Sequence, residues 1–218
     1  MTRGVSAIVL AGGRSSRFGA DKLAALVDGR PLLHAAIGAC AVVADEVVVV
    51  VRAEGPPPTL PGARVPVLLV PDEEPFGGPL AALAAASRHA RGPVLLVVGG
   101  DMPDLVPSVL RLLVTAVEGG AAAAFLAPPA PTTSQDPAAP VPTLPFACDR
   151  AATLAVVDDL LRQDRRSLRA LLQSLAAVTL PAATWLVADP RAATLRDVDV
   201  PADLVRAPVD SPPRRSSS

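Results

Sequence analysis

Arg14, Arg17 and Lys22 crowd three positive charges into one short stretch, directly after the adjacent glycines Gly12 and Gly13. Paired glycines let a loop present its backbone N–H groups to an anion with no Cβ in the way. Cations beside bare N–H groups hold phosphates. A second chemical group is Asp101, in Gly99-Gly100-Asp101-Met102-Pro103 just past the all-apolar run 94–98. A carboxylate in that position is suited to a hard cation, and Mg²⁺ is ordinarily bound by one or two carboxylates together with substrate phosphates. Phosphate-holding cations and a cation-holding carboxylate together point to phosphoryl chemistry.

The common nucleotide motifs do not fit. A P-loop has its lysine directly after the second glycine and then Ser or Thr, whereas here Ala20 and Asp21 separate Gly19 from Lys22, and Leu23 follows. The dinucleotide fingerprint G-x-G-x-x-G is absent because Gly12 and Gly13 are adjacent. The only histidines, His34 and His89, fall in surface contexts on helices, and no Ser/His/Asp triad or activated cysteine is evident. Direct attack by a phosphate fits these residues better than covalent catalysis.

The elements that must position these groups follow from hydrophobic pattern. Residues 5–11 read as a buried strand that breaks at Gly12-Gly13. Pro31 opens a helix over 31–43, with Leu32, Leu33, Ala36, Ile37 and Cys40 as its core stripe. The run 46–51 is β-branched on both faces, as in a central parallel strand. A strand at 66–70 leads to Asp72, and Gly78-Pro79-Leu80 starts a helix over 80–90. Strand 94–98, helix 107–117 and strand 121–125 follow. Beyond them we expect a strand over 141–147, helices over 151–161 and 167–175, edge strands at 177–180 and 184–187, and a short helix at 202–205. This alternation predicts a three-layer, doubly wound α/β fold around a mainly parallel sheet. Ligands of such sheets bind outside the strand carboxyl ends. Segments 12–22, 72–79 and 99–103 all follow strand ends, so they are expected to line one crevice.

The stretch 5–22 resembles the signature loop of nucleotidyltransferases, L-A-G-G-x-S-x-R-x-G-x-D-K, matched at Leu10, Ala11, Gly12, Gly13, Ser15, Arg17, Gly19, Asp21 and Lys22. Within that class it is most similar to the molybdenum cofactor guanylyltransferases of the MobA type. Gly12-Gly13, where cytidylyl relatives tend to have Ala-Gly, favours guanine. The resemblance covers most of 5–125 and resumes near 141 and 197–204. It implies a nucleotide-diphospho-sugar transferase architecture and Mg²⁺-dependent transfer of GMP from GTP to molybdopterin, releasing pyrophosphate. It also implies catalytic roles for Arg17, Lys22 and Asp101, and a nucleotide site of Leu10, Ala11, Gly12, Gly13, Ser15, Arg17, Lys22, Asp72 and Asp101. Gly78, Pro79, Leu80, Asp197 and Asp199 would contact the acceptor, and Asp101 with Asp199 would hold the metal. Alternation along an extended strand puts Asp197 and Asp199 on one face. Two other readings stay open: a nucleotidyltransferase using CTP or another phosphorylated acceptor (a sugar phosphate, phospholactate), and a nucleotide-binding module without turnover.

Composition sets the remaining bounds. At 218 residues the chain suits one α/β domain, taken as 1–207, with a Pro/Ala-rich insertion near 126–140 that is a lid or disordered, and a disordered tail over 208–218. Aromatic residues make up only 2%, so the core must be built from Ala, Val and Leu. A formal charge of −1 gives no general attraction to nucleic acid or to anionic membranes. Cys40 and Cys148 are expected as reduced core thiols rather than a disulfide or metal pair. No run is long enough for a signal peptide or a membrane span, so a cytoplasmic protein is expected; a monomer is one option, and the oligomeric state stays open.

Overall fold

The computed structural model describes residues 4–12, 22–72, 77–129 and 143–204. Its centre is a seven-stranded sheet of β1 (Val5–Leu10), β4 (Glu46–Arg52), β5 (Val67–Asp72), β6 (Val94–Gly99), β7 (Ala123–Leu126), β8 (Phe146–Asp149) and β9 (Val178–Leu180). The order is β5-β4-β1-β6-β8-β7-β9. The pairs β5/β4, β4/β1, β1/β6 and β7/β9 are parallel, and β8 runs antiparallel to both β6 and β7. A small hairpin of β2 (Leu26–Val27) and β3 (Arg30–Pro31) turns at Asp28-Gly29, both at positive φ, as Asp-Gly hairpins do.

Period-two alternation builds the three layers. Ala7, Val9, Val47, Val49, Leu96 and Val98 face one core, shared with α1 (Leu32–Cys40) and α3 (Pro107–Glu118). Ile8, Val48, Val50, Leu95 and Val97 face the other, against α2 (Pro79–His89), α4 (Arg150–Arg162) and α5 (Leu168–Ser174). Both faces are apolar because both are covered. Small side chains fill most of the interior, and Trp185 and Phe146 are its largest fully buried members. The thiols of Cys40 and Cys148 are buried in opposite cores, and burial pushes each up to about 12. Among the described residues no helix is long and apolar enough to cross a membrane.

Several expected bounds shift. Helix α1 begins at Leu32 because Pro31 pairs with Leu26, and it ends at Cys40, where Val43 N–H turns back to the Cys40 carbonyl at 2.9 Å. The chain from Lys22 to Ala24 is a tight 3-10 turn. The expected strand over 184–187 is instead the end of α6 (Ala182–Trp185), anchored by Trp185 Nε1 donating to the Ala127 carbonyl at 3.0 Å. Residues 196–200 pair in no strand, and Pro201–Leu204 forms a 3-10 turn. The expected insertion at 126–140 falls mostly outside the described residues, and the tail 208–218 wholly so.

Candidate active site

Sheet register brings the expected loops to one edge. Leu10, the last residue of β1, lies level with Gly99 of β6 and Val50 of β4, and β5 ends at Asp72 opposite Arg52. Past β1, Ala11 N–H donates to the Val50 carbonyl at 2.9 Å, and Gly100 N–H donates to the Leu10 carbonyl at 3.0 Å. Gly12 lies against Asp72: a Cβ added there would stand 3.5 Å from Asp72 Oδ2. Leu10, Ala11, Gly12, Asp72 and Asp101 therefore share one side of the sheet. Gly13, Ser15 and Arg17 lie outside the described residues, as do Arg14, Gly19 and Asp21.

Asp101 is folded back over Gly99 so closely that a Cβ at position 99 would come 2.4 Å from its Oδ1. Only glycine at 99 leaves the carboxylate this orientation. Lys22 meets it from the chain that follows the neighbouring strand β1: its Nζ is 2.9 Å from Asp101 Oδ2 and 3.0 Å from Asp199 Oδ1. The lysine side chain is 11% exposed, against 31% for Asp101 and 65% for Asp199. Burial alone would pull the Lys22 pKa down. Hydrogen bonding and charge from Asp101, then from Asp199, outweigh that and raise it, so the ammonium is charged at neutral pH.

Asp197 and Asp199 reach this point from the far end of the chain. Val198 between them is fully buried against Val27 and Leu32, and its N–H donates to the Asp101 carbonyl at 3.1 Å. An anchored valine flanked by two carboxylates does what strand alternation was expected to do, without a strand. Asp197 is raised above its ordinary value, first by burial and then by the charges of Asp199 and Asp101; its own backbone hydrogen bond and Lys22 oppose the rise. Asp101, Asp197 and Asp199 thus lie close enough to feel one another's charge, and hard oxygen donors of this kind suit Mg²⁺. Among the described residues no group of three or more His, Cys, Asp or Glu forms a metal-binding cluster. A magnesium held by one or two carboxylates and by phosphates requires none.

At the positions expected to contact the acceptor, Gly78 takes φ 84° and ψ 171°, a conformation open essentially to glycine alone, and Pro79 opens α2. Leu80, expected to touch substrate, is fully buried in the core, and its N–H donates to the Arg166 carbonyl at 3.2 Å. Its side chain offers no surface to a ligand. Arg166 also donates from Nη1 to the Gly77 carbonyl at 3.1 Å.

Sequence reasoning missed the residues that fix this geometry. Arg166 is one, marked in the sequence only as part of a charged turn. Arg196 is another: it donates to Asp104 Oδ2 at 2.6 Å and bonds to the Asp203 carbonyl. Asp203 Oδ2 accepts from the N–H groups of Asp199 and Val200, each at 2.9 Å. Those bonds, from Val200 first and then Asp199, lower the Asp203 pKa. An acid at the third position of a helical turn that begins with proline was the signal available for this cap.

A mainly parallel sheet with Lys22, Asp101 and Asp199 gathered past its strand ends is an arrangement suited to a nucleotide-transferring α/β protein. The sequence profile of the MobA-like NTP transferase domain matches residues 7–189. The chain belongs to that family. A "probable molybdenum cofactor guanylyltransferase" of Chloroflexus aggregans is 32% identical over 203 residues, covering 92% of this chain and 91% of the relative. A second protein of that name, from Deinococcus radiodurans, is 36% identical over 118 residues, covering 53% and 56%. Molybdopterin-guanine dinucleotide biosynthesis protein A of Archaeoglobus fulgidus superimposes with a TM-score of 0.67 at 20% identity, covering 91% of this chain and 94% of that one. The 2-C-methyl-D-erythritol 4-phosphate cytidylyltransferase of Thermus thermophilus also gives 0.67, at 18% identity, covering 90% and 94%. Both structural likenesses carry the fold.

Proposed function

We propose that this protein is a molybdenum cofactor guanylyltransferase that transfers GMP from GTP to molybdopterin and releases pyrophosphate. The observation that carries the reading is the meeting of Lys22, Asp101 and Asp199 at one point past the strand ends. Membership of the MobA-like family and the naming of its guanylyltransferase relatives support the choice of substrates.

In this reading an oxygen of the acceptor's terminal phosphate attacks the α-phosphorus of GTP in line. The new P–O bond forms as the bond from the α-phosphorus to the bridging oxygen breaks, and pyrophosphate leaves with that electron pair. Lys22, whose side chain is mostly buried, offsets charge that builds on the phosphates. Arg17 is assigned the same task. Leu10, Ala11, Gly12, Gly13, Ser15 and Asp72 form the nucleotide cradle, and Gly78, Pro79 and Asp197 face the acceptor. Asp101 and Asp199 would hold Mg²⁺, which would bind the phosphate oxygens and withdraw charge from them. The two free cysteines fit a reducing, cytoplasmic setting.

The test is pyrophosphate release from GTP and from CTP, with molybdopterin as acceptor, with and without Mg²⁺. Release from GTP that requires both the acceptor and Mg²⁺ supports the reading. Preference for CTP, or activity only with a sugar phosphate or phospholactate, assigns the protein to another nucleotidyltransfer. Binding without turnover makes it a nucleotide-binding module.

A further inference from the structure

We propose that Asp203 is a positioning residue that holds Asp199 against Lys22 through the Asp199 backbone. This inference rests on the guanylyltransferase reading for its catalytic consequence. The Asp199 carboxylate is 65% exposed, and among the described residues its side-chain partner is Lys22. An ion pair so open to water holds a side chain weakly. Its place must come from the backbone beneath it. On one side, Val198 is buried and its N–H is bound to the Asp101 carbonyl. On the other, a single oxygen, Asp203 Oδ2, accepts from both Asp199 and Val200 N–H at 2.9 Å.

Asp203 is tied down in turn. Its carbonyl accepts from Arg196, whose other nitrogen bonds to Asp104, three residues beyond Asp101. The loop that carries Asp101 and the turn that carries Asp199 are therefore joined twice: by Val198 to Asp101, and by Asp104 through Arg196 to Asp203. Asp203 closes the second link onto the Asp199 amide. What it supplies is one acceptor oxygen, so an asparagine carbonyl can replace it and an alanine cannot.

The experiment compares Asp203→Ala and Asp203→Asn in the full chain, with two readouts. Amide hydrogen exchange in the ligand-free protein, resolved at Asp199 and Val200, is expected to speed up about tenfold or more in Asp203→Ala, the size of a lost hydrogen bond to a charged group. It should stay near the wild-type rate in Asp203→Asn. Turnover of GTP is expected to fall about tenfold in Asp203→Ala, to recover in Asp203→Asn, and to fall no further when Asp203→Ala is added to Asp199→Ala. Unchanged exchange in Asp203→Ala overturns the proposal, as does an undiminished loss in the Asp199→Ala background. Should the alanine variant not fold, an asparagine variant whose Asp199 and Val200 amides exchange about tenfold faster than wild type overturns it alone. A wild type that releases no pyrophosphate from GTP overturns the functional reading, while the exchange rates still decide whether Asp203 holds Asp199.

Discussion

Lys22 Nζ stands 2.9 Å from Asp101 Oδ2, although 79 residues separate the two in sequence. Strands β1 and β6 are neighbours and parallel, so the chain leaving each emerges on the same edge of the sheet. Gly100 N–H bonding to the Leu10 carbonyl locks those two exits together. The ion pair is therefore a consequence of sheet topology.

Replacement of Lys22 by Ala is expected to slow GTP turnover by about 10²–10³, the usual cost of one preorganised donor aimed at developing charge. The measurement is kcat on purified protein, with circular dichroism to confirm that the sheet is intact. A loss under threefold would remove Lys22 from the chemistry.

The same lysine should leave a mark on stability at high pH. Its folded-state pKa lies above the ordinary 10.5, so the folded protein holds this proton more tightly than the unfolded chain does. The contribution is fully present below about 10.5 and is lost as pH rises through the higher folded value. The difference in urea midpoint between wild type and Lys22→Met is expected to be constant from pH 7 to 9 and to shrink above the ordinary lysine value. A difference that grows there contradicts the raised pKa.

Gly78→Ala is expected to destabilise the protein by about 1–3 kcal/mol, the cost of forcing a side chain into this backbone region. The new Cβ would also stand 3.2 Å from Arg166 Cβ and 3.3 Å from its carbonyl oxygen. Urea denaturation gives the number. A variant as stable as wild type would mean the 77–80 loop is not held as described.

Cys40 and Cys148 are predicted to resist iodoacetamide at pH 8 in the folded protein and to react once denaturant is added. Burial pushes both thiols up to about 12, which leaves almost no thiolate and no access. Mass spectrometry counts the adducts.

How far the sequence could be read depended on which residues carried the signal. Strands β1, β4 and β6 were legible because both faces are buried, leaving runs dominated by Val, Ile and Leu. The core stripe of α1 was legible at helical spacing, and Leu32, Leu33, Ala36, Ile37 and Cys40 are all buried. The direction of β8 was not, since an apolar run reads alike whichever way it pairs. At 184–187 local alternation misled: Trp185 is fixed by its bond to the Ala127 carbonyl, a contact that overrides strand propensity. Lys22 and Asp101 were visible from chemistry and position, whereas Asp199 was visible only through the family's late motif. Arg166 acts on the carbonyl of Gly77, 89 residues away, and no local pattern encodes such a partner, whereas Asp203 caps amides only three and four residues before it.

The central claim is that Asp101 and Lys22 form one phosphate-handling centre, and pyrophosphate release by Asp101→Asn tests it most directly. The substitution keeps the side chain's shape and removes its charge. With GTP, Mg²⁺ and molybdopterin supplied, turnover is predicted to fall by at least about 10² while the folded structure persists. Release at the wild-type rate would contradict the account.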